Sequence, residues 1–213
     1  MKLKVCGMTS TDNMEAVATL QPDYLGFIFW EPSTRYFKGK MGNIPNTIKK
    51  VGVFVDASLD YVIEKINEHN LAAVQLHGKE SPEFCMGIRN SSLGLQGAQP
   101  KIIKVFSIKD TFDFSVLKAY EKVCDYFLFD TKGKLPGGNG YTFNWSVLEN
   151  YPATKPYFLS GGIGLKDIDK IKYFLKTPAS KYCAVIDVNS DFEIEPGLKD
   201  IEKLKEFTTA LRT

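Results

Sequence analysis

Residues 50–77 have the sequence KVGVFVDASLDYVIEKINEHNLAAVQLH, and this stretch decides the fold class. It holds two short apolar runs, 50–55 and 72–77, on either side of a segment, 59–68, in which apolar residues recur at helical spacing. A strand, a helix and a second strand in this order form the unit that connects parallel strands. The stretch therefore predicts a parallel sheet whose outer face is covered by helices.

The same alternation extends along the whole chain. Short runs rich in Val, Ile, Phe and Tyr predict eight strands, at residues 2–7, 24–29, 50–55, 72–77, 101–106, 125–130, 156–160 and 182–187. Helices are predicted between them, near residues 13–20, 59–68, 110–122, 145–150 and 166–176, from Ser81-Pro82 onward, and at the C-terminus. Asp12 is the predicted cap of the first helix, and residues 31–49 predict a loop followed by a short helix.

Eight strands alternating with helices over 213 residues predict one domain, residues 1–213, with an α/β fold of the (β/α)₈ TIM-barrel type. A doubly wound open sheet is the alternative. A hydrophobic content of 44% and a net charge of +2 are typical of a soluble globular protein and do not suggest nucleic acid or an acidic membrane as partner. The sequence has no apolar run long enough to span a bilayer and no signal-peptide pattern, so a cytoplasmic protein is predicted.

The cysteines and histidines do not form a pattern typical of metal binding. The four cysteines include no Cys-x-x-Cys pair, and the histidines are His69 and His77 alone. We therefore predict neither a metal site nor a disulfide framework.

Two ionisable residues close apolar runs. Cys6 ends the first predicted strand and Asp130 ends the sixth. Active sites of such barrels lie at the C-terminal ends of the strands. A deprotonated thiol can act as a base and a protonated carboxyl as an acid, so the pair predicts acid–base chemistry. The alternative is that Cys6 is a small buried apolar residue and Asp130 caps a helix. The other polar residues at strand ends are Asp56, His77, Ser160 and Asp187.

Glycine and polar residues follow the last two strands. Ser-Gly-Gly-Ile-Gly (160–164) leaves the seventh strand and enters a predicted helix, and Asp-Val-Asn-Ser (187–190) leaves the eighth. Glycine lets backbone amides approach an anion, a helix N-terminus adds its dipole, and this position is the common phosphate site of the fold. We therefore predict phosphate binding here, with a tight chain turn as the alternative.

Three further side chains have two interpretations each. Arg35 can form a bidentate pair with a carboxylate or lie solvated in its loop. His77 can bind substrate or serve a structural role. Lys4 shares a strand face with Cys6, and its ammonium would favour the Cys6 thiolate from beneath it in the barrel.

Together these residues resemble the phosphoribosylanthranilate isomerase family. The motifs that carry the resemblance are KVCGMT (4–9), GFIF (26–29), STRY (33–36), VGVFV (51–55), VQLHG (74–78), FDT (129–131), GGNGYTFNW (137–145), LSGGI (159–163), DVNS (187–190) and PGLKD (196–200). Their order and spacing along nearly the whole chain make the resemblance specific.

The resemblance implies a TIM barrel without cofactor or metal, acting as a monomer or homodimer on a small phosphorylated substrate in tryptophan biosynthesis, an aromatic amino-acid pathway. It implies the Amadori rearrangement of N-(5-phosphoribosyl)anthranilate to 1-(2-carboxyphenylamino)-1-deoxyribulose 5-phosphate. Cys6 would be the general base, Asp130 the general acid and Arg35 the ligand of the anthranilate carboxylate. The backbone that would hold the phosphate belongs to Gly161, Gly162, Asn189 and Ser190. We also assign His77 and Asp187 to substrate binding, because they lie at strand ends.

The sequence departs from the family pattern in two segments, and two other functions compete. Residues 189–193 read NSDFE where the family usually has SSGVE, and Asn139 stands where it usually has Ser or Thr, a mild change because asparagine tolerates a left-handed backbone. Asp191 stands where the family usually has glycine, which places a negative charge near the phosphate. A ribulose-phosphate epimerase would need metal-bound carboxylates and histidines, and this chain has no adequate histidine set. A catalytically silent barrel that senses a phosphorylated metabolite would need neither Cys6 nor Asp130.

Overall fold

Eight parallel strands close into a barrel. The computed structural model describes residues 1–91, 99–109, 111–131 and 142–212. The strands are β1 Lys2–Val5, β2 Tyr24–Ile28, β3 Lys49–Phe54, β4 Ala73–Leu76, β5 Lys101–Ile108, β6 Tyr126–Thr131, β7 Tyr157–Leu159 and β8 Cys183–Val188. Each strand pairs with the next in sequence, and β8 pairs with β1. The predicted TIM barrel is confirmed, and the open doubly wound sheet is wrong.

Helices and a hairpin connect the strands. The α-helices are α1 Thr11–Thr19, α2 Leu59–His69, α3 Pro82–Ser91, α4 Ile168–Phe174 and α5 Ile201–Arg212. Two short strands, β9 Glu193–Glu195 and β10 Leu198–Lys199, form an antiparallel hairpin after β8. At the start of α2, the Ser58 side chain accepts a hydrogen bond from the Tyr61 amide, and Asn70 ends the helix in a left-handed conformation. No helix of the described ranges is long and apolar enough to cross a membrane.

Several predicted helices differ in the structure. The segments predicted at 110–122 and 145–150 form 3₁₀ helices, Phe114–Ala119 and Trp145–Asn150, started by the side chains of Asp113 and Asn144, which accept from an amide two residues on. The predicted cap Asp12 lies inside the first turn of α1, after Ser10. The short helix predicted within 31–49 is absent, because two prolines and two glycines interrupt that segment.

Apolar side chains fill the barrel interior on the side away from the C-terminal ends of the strands. An apolar cluster of inward-facing side chains occupies its lower part, formed by Tyr24, Val51, Ala73, Ile103, Val105, Leu128, Phe158 and Val185. A second, larger core lies between the strands and the surrounding helices. Inward-facing polar side chains therefore lie above the apolar cluster, at the C-terminal ends of the strands. All four cysteines are free, and the glycine-rich residues 133–140 lie outside the described ranges.

Candidate active site

A cavity opens at the C-terminal end of the barrel. The predicted site residues all line it: Cys6, Arg35, His77, Asp130, Gly161, Gly162, Asp187, Asn189 and Ser190. The strand-end residue Asp56 is outside this lining, and the lining side chains Trp30 and Gln75 were not predicted. The structure thus brings together residues from β1, β4, β6, β8 and the loops after β2, β7 and β8.

The position of Cys6 is fixed from two sides. Its backbone amide donates to the Val188 carbonyl at 2.9 Å, which extends the pairing of β1 with β8. Its buried side chain lies against Gly26 of β2, where a Cβ atom would come within 2.7 Å of Sγ. The amides of Gly7 and Met8 both donate to the Gly26 carbonyl at 3.0 Å. The thiol therefore occupies space that only a glycine at position 26 leaves open.

A buried ion pair lies beside the thiol. Lys4 and Asp187 are direct partners in the β1–β8 ladder, and Lys4 Nζ lies 2.9 Å from both carboxylate oxygens. The side chains are 0% and 5% exposed. Burial alone would lower the pKa of Lys4, but Asp187 and Cys6 more than offset this, and its pKa is raised. The raised pKa favours the charged form of Lys4. The side chain lies inside the barrel, as predicted from the strand face that it shares with Cys6.

Burial dominates the electrostatics of Cys6. It raises the pKa of the thiol, and the Asp187 carboxylate adds to the rise, while Lys4 and Lys199 oppose it. Burial therefore favours the neutral thiol, and the two ammonium groups favour the thiolate.

Asp130 points into the barrel from β6. Its side chain is 4% exposed, and the residue lies within the strand. His77 Nε2 lies 3.3 Å from Asp130 Oδ2, is buried and has no hydrogen bond. His77 Nδ1 lies 3.5 Å from Gln75 Nε2. In the tautomer in which Nδ1 accepts from Gln75, Nε2 carries a proton towards Asp130.

The barrel order sets Asp130 apart from Cys6. Asp130 is on β6 and Cys6 follows β1, with β7 and β8 between them around the closed barrel. The loops after β7 and β8 therefore separate the carboxyl from the thiol along the rim. A ligand held by those loops would have Asp130 on one side and Cys6 on the other.

The loop after β7 is a glycine turn. Gly161 and Gly162 have φ angles of 96° and 62°, the left-handed region that favours glycine. A Cβ on Gly161 would lie 2.3 Å from Thr131 Oγ1, so the loop passes directly over the end of β6. The turn enters a three-residue 3₁₀ helix, Leu165–Asp167, before α4. The predicted helix dipole is therefore a weaker contributor than the backbone amides of the turn.

The loop after β8 meets this turn at Asp191. A Cβ on Gly164 would come within 3.1 Å of Asp191 Cβ. Asp191 lines the cavity, and its Oδ2 atom is buried without a hydrogen-bond partner. Asp191, which stands where the family usually has glycine, therefore places a carboxylate where the two loops join.

Arg35 is not a solvated loop residue. Its Nε atom lies 2.9 Å from both oxygens of Glu193, and Nη2 lies 2.6 Å from Oε2. The guanidinium is 18% exposed and lines the cavity. Sequence reasoning assigned no role to Glu193 or to Lys199, although Lys199 lies in the PGLKD motif, which could have drawn attention to it.

Fold and site define the class as a TIM-barrel protein whose ionisable side chains gather in a cavity at the barrel mouth. The family model described as N-(5'-phosphoribosyl)anthranilate isomerase matches residues 3–210. The chain therefore belongs to the phosphoribosylanthranilate isomerase family. The prediction of an isomerase of tryptophan biosynthesis is confirmed.

Similar proteins agree with this assignment. A relative from Parabacteroides distasonis, named N-(5'-phosphoribosyl)anthranilate isomerase, is 42% identical and is aligned over 97% of this chain and 91% of its own. One of the same name from Phocaeicola vulgatus is 38% identical over 100% and 98%. Phosphoribosyl anthranilate isomerase from Thermotoga maritima has a TM-score of 0.80 at 26% identity, covering 100% and 98% of the two chains. Another solved isomerase, in complex with reduced 1-(o-carboxyphenylamino)-1-deoxyribulose 5-phosphate, has a TM-score of 0.76 at 23% identity, with the same coverage.

Proposed function

We propose that this protein converts N-(5-phosphoribosyl)anthranilate into 1-(2-carboxyphenylamino)-1-deoxyribulose 5-phosphate, with Cys6 as general base and Asp130 as general acid. The observation that carries the proposal is that all nine predicted site residues line one and the same cavity. It offers an acid, a base, a cation and glycine-rich backbone, which are the groups that this substrate requires. Residues 1–213 would form one catalytic domain, active as a monomer or homodimer.

The reaction is an internal redox shift that begins with two proton transfers. Asp130 gives a proton to the furanose ring oxygen, and the ring opens to a Schiff base with the anthranilate nitrogen. The iminium makes the C2 proton of the sugar acidic, and the Cys6 thiolate removes it. The resulting enolamine tautomerises to the ketone, so the aldose carbon is reduced and C2 is oxidised without an external reagent.

The contacts of the site support these roles. His77 faces Asp130 and can share its proton. Lys4 and Lys199 counter the effect of burial on the Cys6 thiol. The Arg35 guanidinium, oriented by Glu193, would bind the anthranilate carboxylate. Backbone of Gly161, Gly162, Asn189 and Ser190 would hold the phosphate, and Asp187 would act through Lys4.

A cytoplasmic location is part of the proposal. The four cysteines include no Cys-x-x-Cys pair, which fits reduced thiols in that compartment.

Turnover of phosphoribosylanthranilate, followed by the decay of its fluorescence, tests the proposal. Cys6→Ala and Asp130→Asn are each expected to lower kcat by about 10²–10⁴-fold, the usual contribution of a general acid or base. Cys183→Ala and Asp56→Asn are matched controls, because both residues lie outside the cavity lining. Thermal denaturation shows whether each variant folds. Near-normal activity of either site variant contradicts its role, and binding without turnover by the wild type favours a metabolite sensor.

A further inference from the structure

The β9–β10 hairpin is fixed to the segment that follows Cys6. The Asn13 side chain donates to the Lys199 carbonyl at 2.9 Å and accepts from the Lys199 amide at 2.8 Å. Thr9 Oγ1 donates to the Gly197 carbonyl at 2.9 Å. The hairpin therefore keeps a constant position relative to the rim of the cavity, and its side chains can fix the loops around it.

The Lys199 ammonium orients the loop after β8. It is 0% exposed and lies 2.7 Å from Asn189 Oδ1 and 3.2 Å from the Asn189 carbonyl oxygen. In a trans peptide the carbonyl and the following N–H point in opposite directions. Lys199 therefore turns the Ser190 amide away from itself, and Ser190 lines the cavity.

One carboxylate joins this ammonium to Arg35. Glu193 Oε1 lies 2.7 Å from Lys199 Nζ and 2.9 Å from Arg35 Nε. The Glu193 side chain is 4% exposed. Burial would raise its pKa, but the hydrogen bond from Arg35 and the charge of Lys199 outweigh this and lower it. Glu193 is therefore an anion that holds two cations at once.

The loop after β8 and the Arg35 side chain also approach each other at Gly7. A Cβ atom there would lie 2.6 Å from Asn189 Oδ1 and 2.9 Å from Arg35 Cδ. The Asn189 amide and the stem of Arg35 thus meet over the residue that follows Cys6. A displacement of the loop reaches Arg35 through this contact and through the Lys199–Glu193 pair.

We propose that Glu193 and Lys199 are positioning residues that couple the two ends of the substrate site, so that phosphate at Asn189–Ser190 strengthens carboxylate binding by Arg35. An anion that accepts from the Ser190 amide fixes the Asn189–Ser190 peptide, whose carbonyl oxygen lies 3.2 Å from Lys199 Nζ. Glu193 contacts both Lys199 and Arg35, so it then restricts the position of the Arg35 guanidinium. By linkage, a bound carboxylate strengthens phosphate binding by the same factor. This inference rests on the proposed function, which assigns the phosphate and the carboxylate to these groups.

Calorimetry with inorganic phosphate and anthranilate as separate probes tests the coupling. In the wild type, saturating phosphate is expected to lower the Kd of anthranilate about fivefold or more, the lower end of measured coupling. In Glu193→Gln, which keeps the side-chain size, the ratio of the two Kd values is expected to be near one. Glu195→Gln, on the exposed part of the same hairpin, is the matched control and keeps the wild-type ratio. No synergism in the wild type, or full synergism in Glu193→Gln, overturns the proposal.

Lys199→Met is the second test variant, and Lys199→Arg its conservative partner. Coupling lost in the first and restored in the second supports an electrostatic role, whereas coupling kept in Lys199→Met refutes one. Turnover is measured on the same preparations. A wild type that turns over phosphoribosylanthranilate without synergism contradicts only the coupling, whereas a wild type without turnover contradicts the proposed function.

Discussion

Gly26→Ala should displace the Cys6 thiol without removing any ionisable group. The added methyl would lie 2.7 Å from Cys6 Sγ, 3.1 Å from its Cα and 3.2 Å from its Cβ. The backbone at Gly26 cannot retreat easily, because its carbonyl accepts from two amides of the turn after Cys6. Since contacts between non-bonded atoms are comfortable at about 3.5–4.0 Å, the thiol must move by about 1 Å.

The expected magnitude follows from that displacement. A shift of about 1 Å in a reacting group can cost about 10²-fold in rate, which is about 2.7 kcal/mol of activation free energy. Overpacking of a buried site costs about 1–3 kcal/mol of folding free energy. Gly26→Ala should therefore fold, with a lower Tm, and turn over substrate about a hundredfold more slowly.

The assay compares kcat/KM for phosphoribosylanthranilate with the free energy of unfolding in urea. Gly39→Ala is the matched control, because a Cβ there meets atoms no closer than 3.7 Å. Activity of Gly26→Ala within about threefold of the wild type, well short of the cost of such a misplacement, would refute the reasoning that the thiol position is set by Gly26.

Three further changes test buried charges of the protein. Lys4→Met removes a cation that lowers the Cys6 pKa, so the midpoint of Cys6 alkylation by iodoacetamide against pH should rise, and identical midpoints would contradict this. Glu193 has a lowered pKa in the folded state, so its stabilisation is present above its unfolded pKa of about 4.3 and lost as pH falls below it. The unfolding free energies of wild type and Glu193→Gln should therefore converge at low pH, whereas an equal gap at pH 7 and pH 3 would exclude the charge effect. Lys104→Met leaves buried Glu80 without its partner at 2.9 Å and should cost about 3–5 kcal/mol in urea denaturation, and a loss below about 1 kcal/mol would argue against the ion pair.

The sequence predicts the strands well because each one carries its own pattern. Apolar runs ending in Cys6, His77 and Asp130 place these side chains at one end of the barrel once parallel order is inferred. The helices are less predictable. Asp113 and Asn144 each start a short 3₁₀ helix by capturing a nearby amide, and such local competition does not appear in apolar periodicity.

The electrostatic partners of the site residues could not be predicted. The alternation of side chains places Lys4 on the same face as Cys6, as observed, but its ion pair with Asp187 depends on the register of β1 against β8. That register is set by closure of the barrel between residues 183 positions apart. The same holds for Glu193, whose contact with Arg35 follows from the path of the hairpin after β8.

The Lys4–Asp187 pair also constrains how the chain can fold. During synthesis Lys4 leaves the ribosome early, and its counter-ion follows 183 residues later. Burying Lys4 in a partial barrel without β8 would leave an unpaired ammonium in an apolar interior, at a cost of several kcal/mol. A nascent chain therefore gains little by closing the barrel before its last strand exists. The Cys6 thiol then takes its final position late, when β8 pairs with β1.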